Sequence, residues 1–245
     1  MVTSPFILPD WPAPPSVHSL CTTRHGGVST SPYTSFNLGQ HVGDDPATVE
    51  ANRQRLIALA SLPEPPRWLT QVHANKVIAS QNWSTGTHAD GLFSCTDHHV
   101  CSILTADCLP ILLCNTQGTE VCALHAGWRS LAQNIIAKAC QHFKTDMTQL
   151  MAWLGPAIGP QHFEVGPDVY QAFCDHSDIA HLAFKQQDKQ HYLADLYQLA
   201  RQHLTQLGIT AIYGGSYCTY QHDTQFFSYR RQGVTGRMAS LIWLA

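Results

Sequence analysis

The sequence is poor in charge. Only 13% of its 245 residues are Asp, Glu, Lys or Arg, and the formal net charge is −3 with His neutral. No basic excess is available to grip a nucleic-acid backbone, and no like-charge block suggests a disordered tail. No apolar stretch reaches membrane-spanning length, so neither nucleic acid nor a membrane is an expected partner. There is no CxxC pair among the nine cysteines. Several of them, Cys101, Cys114, Cys122 and Cys140, sit inside apolar runs and read as small buried hydrophobes. The first residues, MVTSPFILPDW, lack a basic start and are interrupted by Pro5 and Pro9, so they do not read as a signal peptide. Unpaired thiols suit a reducing compartment, and a cytoplasmic protein is expected. Internal repeats and linkers are absent too.

Against those absences stand 44% hydrophobic residues and 15 histidines. The first predicts a substantial core. The second raises the prior for metal binding only slightly, since most histidines lie on surfaces or are satisfied in cores. Strands and helices are mixed without a βαβ rhythm, which predicts a single α+β domain over residues 1–245, with helices outside packed sheets.

The chain is organised around Leu104 to Ser130, LTADCLPILLCNTQGTEVCALHAGWRS. Ser102–Leu104 with Ile111–Cys114, and then Val121–Leu124, are two apolar arms joined by the turn-forming Asn115-Thr116-Gln117-Gly118. The pattern predicts a buried hairpin. Asp107-Cys108 sits in a break of the first arm, and His125 ends the second. Leu131, Ile135, Ala139 and Phe143 follow at helical spacing.

Elsewhere Asp45-Pro46 opens a helix as cap and first-turn residue. Its predicted inward face is Val49, Arg53, Leu56, Ile57 and Ala60. Arg67–Val72 and Lys76–Ala79 predict a hairpin turning near His73. Further strands are expected at Ser16–Thr23, Leu150–Leu154, Ile209–Tyr213 and Met238–Leu244. Helices are expected at Pro167–Cys174 and Tyr192–Leu207.

Three residues near turns or strand ends, His73, Cys108 and His125, have side chains suited to zinc. Three protein ligands would leave the fourth position open, as in catalytic sites. The spacing matches no zinc-finger pattern, so the same residues also admit a metal-free Cys108 nucleophile with a histidine base, or plain core packing. Asp107, a carboxylate between apolar segments, needs a partner. It could orient a ligand histidine, act as a general base or cap a turn. After Ser16–Thr23 come Arg24, His25, Gly26 and Gly27, a loop whose backbone N–H groups and guanidinium could hold an anion. Asn37 lies in the next loop. Arg129, Arg230, Arg231 and Arg237 are further scattered cations.

The longer motifs then become recognisable. TRHGGVS, SFNLGQHVGDDP, WLTQVH, TADCLPILL, ALHAGWRSLA, LGPAIGPQHFEVGPDV and FFSYRRQGVTGRMASLIWL occur in order, nearly end to end. In these the chain resembles the YfiH family, also called laccase-domain or multicopper polyphenol oxidase. That resemblance implies an α/β/β/α sandwich and one zinc on His73, Cys108 and His125. It implies phosphorolysis of adenosine, inosine and methylthioadenosine, with purine nucleosides and phosphate as partners and adenosine deamination as a second reaction. Copper-dependent phenol oxidation and hydrolytic editing of peptidoglycan precursors are also associated with such proteins. His98-His99 is the only close histidine pair, so a true multicopper centre is not expected, although copper at the three-ligand site is possible. For phosphorolysis, Arg24 with the His25-Gly26-Gly27 loop is the expected phosphate cradle, with Asn37 nearby. Asp107 is the expected proton carrier for deamination.

Overall fold

The computed structural model describes residues 4–245. Its strands are β1 (Phe6–Ile7), β2 (Val17–Thr22), β3 (Val77–Ala79), β4 (Gly91–Ser94), β5 (Cys101–Thr105), β6 (Leu109–Asn115) and β7 (Val121–Ala126). They continue with β8 (Leu150–Leu154), β9 (Glu164–Val165), β10 (Phe184–Gln186), β11 (Tyr192–Ala194), β12 (Ala211–Gly214) and β13 (Met238–Leu244). The helices are α1 (Pro46–Ala60), α2 (Trp128–Ala132), α3 (Ile135–Cys140), α4 (Pro167–Cys174), α5 (Leu196–Gln206) and α6 (Tyr229–Gln232). A six-stranded sheet runs β12-β8-β6-β7-β4-β3, a four-stranded sheet β1-β2-β13-β5, and a small third sheet β10-β11-β9.

The expected hairpin is the middle of the six-stranded sheet. β6 and β7 pair antiparallel, with Leu109 opposite Ala126 and Cys114 opposite Val121. Every residue of both strands is buried, which accounts for their unbroken apolar runs. Alternation then divides the side chains between two cores. Ile111, Leu113, Cys122 and Leu124 enter a core with Leu131, Ile135, Val169 and Leu199 from α2 to α5. Leu112, Cys114, Val121 and Ala123 meet Ile103, Ile242 and Leu244 of the other large sheet. The far face of that second sheet presents Leu20, Ala239, Leu241 and Trp243 to Leu56 of α1. The layers therefore run helix, sheet, sheet, helix, which is the mixed α/β/β/α sandwich expected. No helix among the described residues is long and apolar enough to cross a membrane.

Several local expectations are corrected. The first arm of the hairpin is two strands in different sheets, β5 and β6, with Asp107-Cys108 at the crossing. Arg67–Val72 is not a hairpin strand. It makes only isolated bridges, Arg67 with Cys101 and Thr70 with His88, while β3 runs parallel to β4. The Gln71 amide takes both backbone groups of Leu104, at 2.8 and 2.7 Å, in place of a ladder. The helix expected through Leu131 and Phe143 is broken at Asn134, whose φ is 60°. Tyr192–Leu207 splits at Asp195, which accepts the Gln198 N–H at 3.0 Å and so starts α5 after β11. α1 begins as read, with Asp45 accepting the Thr48 N–H at 2.9 Å. Its buried residues are Val49, Asn52 and Leu56.

Candidate metal centre

Cys108 is aimed by the turn before it. Asp107 has φ +88°, a left-handed conformation that a non-glycine residue holds only when its surroundings enforce it. Here the Thr219 hydroxyl and the Arg230 N–H both donate to its carboxylate, each at 2.6 Å. The chain crosses between the sheets and presents the thiol beside the end of β7. Gly127 makes room for it, since a Cβ there would lie 2.9 Å from Cys108 Sγ.

His125 closes β7 and is buried. Its Nδ1 lies 2.8 Å from Asp90 Oδ1, and its backbone N–H donates to Asp90 O at 2.7 Å. The fully buried Asp90 carboxylate also accepts three successive N–H groups, from Val72, His73 and Ala74, at 3.2, 2.9 and 2.9 Å. One carboxylate thus orients the His125 ring, leaving Nε2 for other work, and folds the loop that places His73 at φ +57°. The two imidazoles meet edge to face at 4.7 Å. Ligand atoms of His73, Cys108 and His125 all lie within 4.8 Å of one another. The structure brings these three sequence candidates together. Of the roles open to Asp107, it takes the one in the turn, and the carboxylate that orients a candidate ligand histidine is Asp90.

Electrostatics suit an ion. Burial alone would raise the Cys108 thiol, but His125 and His73 outweigh it and bring its pKa down to about 6. Burial opposes charge on His125 as well. The Cys108 sulfur and Asp90 reverse that and raise it to about 9. Thiolate and imidazole are donors for a borderline-soft metal, and His73 stands exposed on the open side. Among the described residues this is the one cluster of three or more His, Cys, Asp or Glu donors, which fits one ion rather than a multicopper array.

Two further groups share the site. Burial lowers the pKa of Arg237, with Cys108 and Asp107 pulling the other way, so its charge lies within their field. Arg237 Nη1 donates to Thr235 O and Gly236 O, both at 3.0 Å. Its Nε and Nη2 find no acceptor among the described residues. His41 is lowered by desolvation first, then by Arg237, Arg53, His73 and His125. It also lines a cleft of about 730 Å³ with Arg53, Trp68, Gln71 and Trp83, and the Arg53 guanidinium lies 4.3 Å above the Trp68 ring.

The expected anion loop is built differently from its reading. Arg24 spends Nε on Thr34 O and Nη1 on Asp223 O, both at 2.9 Å. The Gly27 N–H donates to Ser35 Oγ at 3.2 Å, and Gly26 O accepts from Arg55 Nε at 2.8 Å. His25 Nε2 contacts Thr224 O. A Cβ on Gly27 would lie 2.3 Å from Ser35 O, so the close approach that requires glycine is to the chain itself. Asn37 is buried with its amide fully engaged. Nδ2 donates to Gly39 O at 3.2 Å and Asp44 Oδ2 at 2.9 Å, and Oδ1 accepts the N–H of Gly39 and of Arg237, each at 2.9 Å. Asn37 therefore seats Arg237 and has no polar atom left for a ligand. Arg237 appeared in the sequence as one scattered cation within FFSYRRQGVTGRMASLIWL and His41 inside SFNLGQHVGDDP, while Asp90, in Ala89-Asp90-Gly91 (ADG), was not singled out. The ADG aspartate, beside a strand rich in apolar residues, was the available signal.

A sandwich of this topology with one His–Cys–His cluster at the crossing of its sheets defines a class, and comparison supplies the family. The chain belongs to the family described as multi-copper polyphenol oxidoreductase laccase, whose model matches residues 18–245. It is 49% identical to the purine nucleoside phosphorylase YfiH of Escherichia coli, over 98% of this chain and 99% of that protein. Its fold superimposes on a Neisseria meningitidis crystal structure with a TM-score of 0.95 at 46% identity, covering 98% and 99% of the two chains. The Bacillus licheniformis hypothetical protein YfiH gives 0.91 at 27% identity, covering 100% and 98%.

Proposed function

We propose that the chain is a zinc-dependent purine nucleoside phosphorylase acting as one catalytic domain in the cytoplasm. Adenosine, inosine and methylthioadenosine would react with phosphate to give the free base and a ribose 1-phosphate. The observation that carries this reading is the exposed His73 beside half-buried Cys108 and buried His125, with the free donors of Arg237 in the same field. The 49% identity to the Escherichia coli purine nucleoside phosphorylase YfiH supports it. A bound zinc supplies Lewis-acid polarisation of a substrate oxygen.

The chain's own residues supply the rest. Arg237, rather than Arg24, holds phosphate, because Arg237 commits only Nη1 to carbonyls, whereas Arg24 commits both Nε and Nη1. His41, whose pKa is lowered by burial first and then by its cationic neighbours, keeps a hydrogen bond on the leaving purine as negative charge builds there. The Trp68–Trp83 cleft receives the flat, apolar part of the nucleoside. Asp107 holds the turn that presents Cys108. Adenosine deamination is proposed as a second reaction at the same site.

A second reading has one observation in its favour. A thiol lowered to about 6 beside a raised imidazole is the state of a cysteine nucleophile, which would suit an amidase acting on cell-wall precursors. Copper bound at the three ligands, oxidising phenols, is a third and weaker option.

Product analysis on adenosine, with and without phosphate, separates them. The phosphorylase reading expects adenine and ribose 1-phosphate only with phosphate, and neither product from Cys108→Ala. Inosine formed without phosphate would make deamination primary. Amide cleavage by chelated protein, with no nucleoside turnover, would establish the cysteine hydrolase instead.

A further inference from the structure

A second thiol–imidazole pair stands apart from the metal cluster. Cys218, 8% exposed, follows β12 and bridges Ala157 in parallel. Its Sγ lies 3.5 Å from His162 Nδ1 and accepts the Gly159 N–H at 3.2 Å. Gly159 permits that approach, because a Cβ there would sit 3.1 Å from both Cβ and Sγ of Cys218. The His162 ring is held by stacking on Tyr220 at 4.6 Å. Cys218 also lines a cavity of about 500 Å³ with Gly159, Tyr197, Gly215 and His222. A small reagent can enter such a space.

The other thiols lack this arrangement. Burial pushes Cys21, Cys101, Cys114, Cys122 and Cys140 upward. Cys174 pairs with the Tyr170 hydroxyl and is also raised. Cys95 is exposed. Among the described residues, Cys218 is the one cysteine outside the metal cluster with an imidazole in hydrogen-bond reach.

We propose that Cys218 is a peroxide-reactive thiol with His162 as its base, a modification site distinct from the metal centre. The thiol proton passes to His162 Nδ1, and the Gly159 N–H steadies the resulting thiolate. The sulfur attacks one oxygen of hydrogen peroxide. An S–O bond forms and the O–O bond breaks. The departing hydroxide takes the proton from the imidazolium, so the products are a sulfenic acid and water. The next residue, Thr219, donates its hydroxyl to Asp107 at 2.6 Å, so the modified sulfur lies one residue from the group that holds the Cys108 turn.

The test uses full-length, zinc-loaded protein, so that Cys108 is occupied as a ligand. Hydrogen peroxide is added in the presence of dimedone, and adducts are mapped by peptide mass spectrometry over time. Cys218 should be labelled at least about tenfold faster than exposed Cys95 in the same molecules. His162→Gln should bring the Cys218 rate down to that of Cys95. A Cys218:Cys95 ratio below that margin in the wild-type protein overturns the proposal without recourse to any variant. So does a His162→Gln variant that folds and still labels Cys218 at the wild-type rate.

Discussion

At the scale of residues, the site is governed less by its ligands than by the carboxylate behind them. Asp90 accepts three backbone N–H groups and faces the imidazole of His125. Asp90→Asn keeps the volume but puts an amide group where one of two acceptor oxygens was. Metal affinity should then fall by about 10- to 100-fold, read by competition with a chromophoric chelator. An unchanged affinity would mean that the ring is held by packing alone. Protons give a second check. Without metal, Cys108 is a thiolate above about pH 6 and His125 stays protonated up to about 9. Below 6 metal binding must displace the thiol proton in addition to the His125 proton. Calorimetry in buffers of different ionisation enthalpy should therefore find more protons released per ion near pH 5 than near pH 7.5, with affinity falling as pH falls. A release that does not change with pH would contradict the thiolate–imidazolium pair.

At the scale of elements, the inner hairpin is packed on both sides. Leu112 projects from β6 into the intersheet core and is fully buried. Leu112→Ala should lower unfolding stability by about 2–5 kcal/mol, measured by urea titration, with the metal cluster otherwise intact. Strands of this kind were legible because burial on both faces writes itself as continuous Ile, Leu, Val and Cys. β8 and β13 were found at their observed limits for the same reason, and α1 because Asp45 and Pro46 mark its start. What failed was judgement of where one element yields to the next. Leu193 fits the helical repeat of α5, yet it belongs to β11, pairing with Lys185 and Glu164. The decisive residue is Asp195, whose cap is one hydrogen bond. Gln71 imitates a strand neighbour with a side chain, something no periodicity can reveal.

At the scale of the whole molecule, the layer order followed from family motifs rather than from spacing, since nothing in the local pattern says that β5 and β6 diverge into different sheets. The three candidate ligands were legible as residue types at turns, and their convergence required the fold. The nearness of Arg237 and His41 to the cluster was not legible, because it depends on segments some 200 residues apart meeting at Asn37 and Gly39. Arg24 is ambiguous in the sequence for the complementary reason. A Gly-Gly loop with an arginine looks the same whether its donors await an anion or bind the chain's own carbonyls. β13 has a similar reach, lying between β2 and β5 in the four-stranded sheet. During synthesis, a nascent chain that has emerged only through α6 carries two strands whose facing edges have nothing between them. That sheet cannot zip from its N-terminal end, so the protein must complete its inner layers after most of its length is made. Until then those open edges are the part of the molecule most in need of shielding from other chains.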